Sequence, residues 1–156
     1  MKEVMTMLDT SAMDRVLNNW LADNGFECEV KCDTDFAYYY ADSLITYALV
    51  VSERMDNLFL DFANRHGLKV DCGIFLLSFF HELGHNETMD ELEDDEFYNG
   101  DKNKLEPEEY FNLTEEIVAT EWAIDYINNH ADEVERLAKD FQEEMKKFLE
   151  KNEIEG

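Results

Sequence analysis

The chain has 156 residues, 45% hydrophobic and 13% aromatic, which suits one domain with a proper core and excludes a disordered chain. Its formal net charge of −25 disfavours nucleic-acid phosphates and anionic membranes, suits a highly soluble acidic surface, and favours basic partners or basic peptide substrates. No hydrophobic stretch follows Met1-Lys2-Glu3, no run approaches the ~20 apolar residues of a transmembrane helix, and Cys28, Cys32 and Cys72 are odd in number and loosely spaced, so a reduced, cytoplasmic protein without a secretory signal is expected.

Residues Met1 to Asp9 form a loose start. Asp9-Thr10-Ser11 caps a first helix predicted to run to about Ala22, with Met13, Val16, Leu17, Trp20 and Leu21 at helical spacing and Asn24-Gly25 as its stop. Phe26 to Cys32 then alternates apolar and charged residues, the pattern of a half-buried strand. Asp33-Thr34-Asp35 is a turn, Phe36 to Tyr40 a second strand rich in aromatics, and Ala41-Asp42-Ser43 a further turn. Leu44 to Tyr47 continues as a third short strand that can extend to Val50, although Tyr47 to Val51 also reads as the start of the next helix. The three strands are expected to form a small antiparallel meander. Cys28 and Cys32 share the apolar face of the first strand, where four residues span ~13 Å, too far for shared coordination, so both read as buried thiols.

Ser52 caps a helix to about His66, with Met55, Leu58, Phe59, Phe62 and Ala63 inward, and Gly67 terminates it. The apolar run Gly73 to Phe80 feeds straight into His81-Glu82-Leu83-Gly84-His85, and together they predict a buried helix from about Asp71, a candidate cap, to Asn86. Glu87 to Glu109 is a long acidic connection with a turn at Asn99-Gly100-Asp101, and connections of this length are usually functional or mobile. Pro107 suits the first turn of a helix that runs to about Asn129, with a possible break near Asn112-Leu113-Thr114. A final amphipathic helix spans about Ala131 to Lys151, its stripe formed by Val134, Leu137, Ala138, Phe141, Met145, Phe148 and Leu149. No repeat or linker divides the chain. The fold expected is one α+β domain over residues 1–156, mostly helical, with the antiparallel meander before the motif helix.

The H-E-x-x-H motif carries the chemistry. Two histidines four apart on a helix lie on one face, so the His81 and His85 imidazoles can converge on one metal ion. Glu82 lies about 100° around the helix, within reach of a metal-bound water whose pKa falls towards ~7. Burying these groups at the end of an apolar helix is costly unless something satisfies them, and a metal does so. Zinc bound by two histidines needs at least one more protein ligand and an open position for water. His66 and His130 sit at predicted helix ends, where a histidine is commonly a dipole contact or cap, and His130 is also a candidate oxyanion donor. Carboxylates in Thr114 to Ala123 are better third ligands. Glu115 suits a capping role at the helix start. Glu116 shares its face with Ala119 and Ala123, small residues that permit close helix approach. Glu121 faces another side and becomes the ligand if the helix is rotated.

The order of an aromatic strand, a short strand, a helix, H-E-L-G-H and then E-E-I-V-A-T-E-W-A resembles the compact zincin-like metallopeptidase domains of ArdC-type antirestriction proteins and ImmA/IrrE-type peptidases. Glu116-Ile117-Val118-Ala119 is similar to the E-x-x-A context of the third zinc ligand in those gluzincin-type sites, with Trp122-Ala123 following and Thr120 standing where an acidic residue often does. Ala37 to Ile45 also resembles the strand region upstream of the motif, and the likeness covers about residues 26–130. It implies a zincin-like domain with zinc held by His81, His85 and Glu116. The expected function is a zinc-dependent peptidase in which Glu82 is the catalytic base and one of Tyr38, Tyr39, Tyr40, Tyr47 or Tyr126 supplies a second oxyanion donor. An extended peptide can add to the free edge of the third strand. The expected substrate is a peptide or protein, with basic ones favoured by the charge, and neither nucleic acid nor membrane is expected as a partner. Two alternatives stand beside this reading: a non-catalytic acidic interaction protein that occupies a basic partner, as a DNA mimic does, and a metallohydrolase acting on a non-peptide bond.

Overall fold

The first helix, α1 (Ser11–Asp23), forms where apolar residues recur at helical spacing, and it buries Met13, Leu17, Trp20 and Leu21. The computed structural model describes residues 11–33, 39–40, 44–48, 53–70, 72–88, 91–93, 98–101 and 104–151. α1 stops at Gly25, whose φ of 78° lets the Phe26 N–H reach the Leu21 carbonyl at 2.9 Å and the Gly25 N–H reach Ala22 at 3.2 Å. The next helix, α2 (Glu53–Arg65), ends by the same device. Gly67 adopts φ 99°, and Leu68 and Gly67 donate to Ala63 and Asn64 at 3.0 and 3.2 Å. The expected caps Asp9, Thr10, Ser52 and Asp71, the turn residues 34–35 and 41–43, and Phe36 to Tyr38 lie outside the described residues.

Between α1 and α2 the structure departs from expectation. The strands are β1 (Glu29–Asp33), β2 (Tyr39–Tyr40) and β3 (Leu44–Ala48). Their order is β1-β3-β2. β1 lies parallel to β3, from Glu29 opposite Leu44 to Asp33 opposite Ala48, while the two-residue β2 runs antiparallel to β3. The α+β domain with a three-stranded antiparallel meander is therefore corrected: among the described residues helices dominate, no such meander is present, and the few strand residues make a minor mixed ribbon. The physical reason lies partly in α1. The Asn18 carboxamide donates to the Val30 carbonyl at 3.0 Å and accepts its N–H at 2.8 Å, so a side chain holds one edge of β1 while β3 takes the other. Alternation shows which face a strand buries, not which neighbour it takes. Of the two cysteines read on this strand, Cys28 is a half-buried free thiol just ahead of β1, pushed up to about 11 by burial and then by the Glu87 charge. The Cys32 side chain lies outside the described residues.

The remaining helices are α3 (Ile74–Thr88), α4 (Pro107–Phe111), α5 (Thr114–Asn129) and α6 (Ala131–Lys151). The break expected at Asn112-Leu113 separates α4 from α5, and α6 covers the residues its stripe predicts, with Val134, Leu137, Ala138, Phe141 and Phe148 buried. α6 packs on α1, and α3 makes its largest contact with α5. Phe80 meets Tyr126 while His85 meets Glu116, so α3 and α5 run antiparallel. Leu76, Leu77, Phe79, Phe80 and Leu83 of α3 are all buried, which explains why this helix is apolar nearly all round. No described helix is long and apolar enough to cross a membrane.

Candidate metal centre

The site forms where the last turns of α3 meet the first turn of α5. Gly84, inside the motif, makes that meeting close. A Cβ at this position would collide with the Ala119 carbonyl oxygen and lie 3.1 Å from the Ala119 carbonyl carbon and Cα, so the helices touch backbone to backbone. Thr88 closes the end of α3 by donating to the Gly84 carbonyl at 2.7 Å.

At this crossing the structure brings His81, His85 and Glu116 together, with one ligand atom of each within 4.8 Å of the others. Glu116 Oε1 lies 2.9 Å from His81 Nε2 and 3.1 Å from His85 Nε2. His81 and Glu116 are buried and His85 is half-buried. Glu116 sits in the first turn of α5, where the helix dipole favours negative charge. Burial alone would push its carboxyl up, but the hydrogen bonds and charge of His81 and His85 outweigh burial and hold it well below the usual carboxylate range. Glu82 is buried beside the group, its Oε1 3.9 Å from His81 Nε2.

The hydrogen bonds determine the protons. Thr120 donates its hydroxyl to the Glu116 carbonyl at 2.8 Å, so its oxygen is left to accept from His81 Nδ1 at 2.9 Å. His81 therefore carries a proton on Nδ1 and turns Nε2 towards the Glu116 carboxylate. Two lone pairs at 2.9 Å repel unless a cation stands between them, either a proton or a metal ion. A tetrahedral ion with bonds near 2.05 Å needs donors about 3.3 Å apart, a few tenths of an ångström wider than the present contacts. Two imidazole nitrogens and one carboxylate oxygen are close enough to hold a metal ion, and Thr120 gives His81 the outer partner that metal-bound histidines usually have. Phe59 sets its ring 5.2 Å from that of His81 in an edge contact, bracing it from α2.

The other candidates fall elsewhere. Glu121 is exposed and outside the group. Glu115 is buried and accepts the Tyr98 N–H at 2.7 Å, pinning the acidic connection next to Glu116. His66 is exposed and packs its ring 4.1 Å from that of Phe62. His130 caps the far end of α5, donating from Nδ1 to the Tyr126 carbonyl at 2.9 Å. It lies about 21 Å along the helix from Glu116, so it is no oxyanion donor here. Tyr126 belongs to an aromatic stack with Phe80, Trp122 and His130, and burial, followed by the Glu133 charge, raises its hydroxyl to about 12. Tyr38 and the side chains of Tyr39, Tyr40 and Tyr47 lie outside the described residues.

The tyrosine that does reach the site is Tyr110, which the sequence reading passes over. Its hydroxyl hydrogen-bonds the Glu116 carboxylate, and burial, then the charges of Glu116 and Glu82, hold its proton far above the ordinary phenol range. Tyr110 is the donor in this hydrogen bond, since a carboxylate only accepts. Its only sequence signal is its place one turn before the ligand helix. No family model, curated protein or solved structure matches this chain.

Proposed function

We propose that this chain is a zinc-dependent peptidase of the kind its motif resembles in ArdC-type and ImmA/IrrE-type domains. The observation that carries the reading is the convergence of His81, His85 and Glu116 with Glu82 buried alongside. Zinc suits a donor set of two imidazoles and one carboxylate. When bound, it would acidify a water molecule and stabilise negative charge on a carbonyl oxygen.

The chain's own residues do the rest. His81 and His85 offer Nε2 lone pairs, the first oriented by Thr120, and Glu116 offers Oε1. Glu82 takes a proton from the attacking water on its carboxylate and passes it to the leaving amine. Its place beside the group, with Oε1 3.9 Å from His81 Nε2, supports this role. Cys28, a thiol outside any disulfide, suits the reduced, cytoplasmic setting that forms part of this proposal.

The test pairs metal analysis of the purified protein with Glu82→Gln. Zinc should remain in the variant while hydrolysis of a fluorogenic peptide mixture falls by about 10²–10⁴-fold. Full turnover by the variant would overturn the mechanism. The net charge of −25 favours a second reading, an acidic protein that occupies a basic partner and keeps its metal for structure. A salt-sensitive complex with a nucleic-acid-binding protein, unchanged by Glu82→Gln, would select it.

A further inference from the structure

α4 has five residues, far too few to hold a helix alone. Its fastening is out of proportion to its size. Pro107 opens it, Glu109 accepts the Glu106 N–H at 3.2 Å, and the Asn112 carboxamide donates to the Glu108 carbonyl at 2.6 Å. Phe111 is buried and stacks on Phe59 at 5.4 Å with ring planes 6° apart, and on Phe62 at 6.0 Å. Phe59 is also the ring that braces His81. One turn of helix is thereby tied to the same side chain that steadies a candidate ligand.

Tyr110 is what this turn carries to the site. It hydrogen-bonds Glu116 and faces the charges of Glu82 and Glu115. It is half-buried, whereas all three carboxylates around it are buried. We propose that Tyr110 is a positioning residue of the metal centre: its hydroxyl fixes the rotation of the Glu116 carboxylate, so that Oε1 is presented between His81 and His85. This rests on the reading that the group takes a metal ion.

The chemistry favours a hydroxyl in this place. Both histidines address one carboxylate oxygen, and a free carboxylate at the end of a three-bond side chain would rotate and share itself between one-oxygen and two-oxygen binding. A donor on the carboxylate suppresses that rotation, as outer partners of metal ligands do.

The experiment is Tyr110→Phe, which keeps the ring and removes only the hydroxyl. Zn²⁺ affinity is measured by competition with a chromophoric chelator, and the visible spectrum is recorded with Co²⁺ in place of zinc. The variant should bind Zn²⁺ about 10–100-fold more weakly and show an altered Co²⁺ band pattern. Affinity within twofold of the parent and superimposable Co²⁺ spectra would overturn the proposal, and so would an unchanged metal site with only turnover reduced, which marks a substrate contact instead. Failure of the parent chain itself to bind zinc would remove the proposed function as well, an outcome distinct from a parent that binds and a variant that binds equally.

Discussion

The two ends of the α3–α5 pair share a pair of helices and little else. At one end Phe80 stacks on Tyr126 at 5.6 Å and meets the edge of Trp20 at 5.3 Å, with Phe79, Phe26 and Trp122 completing an aromatic cluster. At the other end the same helices place buried His81, Glu82 and Glu116 beside half-buried His85. The first end is stable through burial alone, since each aromatic removes a large apolar area from water. The second holds polar groups whose arrangement makes sense only with positive charge at its middle. The aromatic end therefore supplies the rigidity that the polar end needs in order to stay assembled.

Breaking the aromatic end gives the largest expected effect. Phe80→Ala should destabilise the protein by about 3–5 kcal/mol, which lowers the thermal midpoint by roughly 10 °C. A midpoint within 2–3 °C of the parent, by differential scanning calorimetry, would show that the cluster does not support the fold. Breaking the polar end shows in metal binding. Glu116→Gln should weaken Zn²⁺ by on the order of 10²-fold in a chelator competition, whereas Glu121→Gln, at an exposed position, should match the parent. The reverse result would return the ligand role to Glu121. The smallest effect sharpens the contrast. Thr120→Val keeps the shape of the side chain but removes the acceptor for His81 Nδ1, and about a tenfold loss of Zn²⁺ affinity should follow. Isothermal titration can read this directly, and an unchanged constant would mean that His81 needs no partner.

What sequence reasoning could reach follows the same division. The helix limits were readable because they rest on local chemistry: Gly25 and Gly67 in left-handed conformations, the break at Asn112-Leu113, and the periodic stripe of α6. The histidines are four apart on one helix, so their convergence needed no tertiary information. Glu116 was favoured over Glu121 because Ala119 and Ala123 mark the face that approaches another helix, and both are fully buried. The strand pairing was out of reach. A side chain, Asn18, competes for the edge of β1, and nothing in an alternating pattern announces that. Tyr110 was missed for a related reason. It sits on one turn of helix in an acidic stretch, and a five-residue element has no periodicity to read. Thr120 stood out in sequence only as a departure from the family pattern, yet it accepts a hydrogen bond from His81.

The backbone contact at Gly84 sets the calibre of the ligand cage. Because α3 already rests on the Ala119 peptide, the two helices have a hard stop there and cannot approach further. A methyl group at position 84 would act as a wedge, forcing the two helices apart at the level of His81, His85 and Glu116.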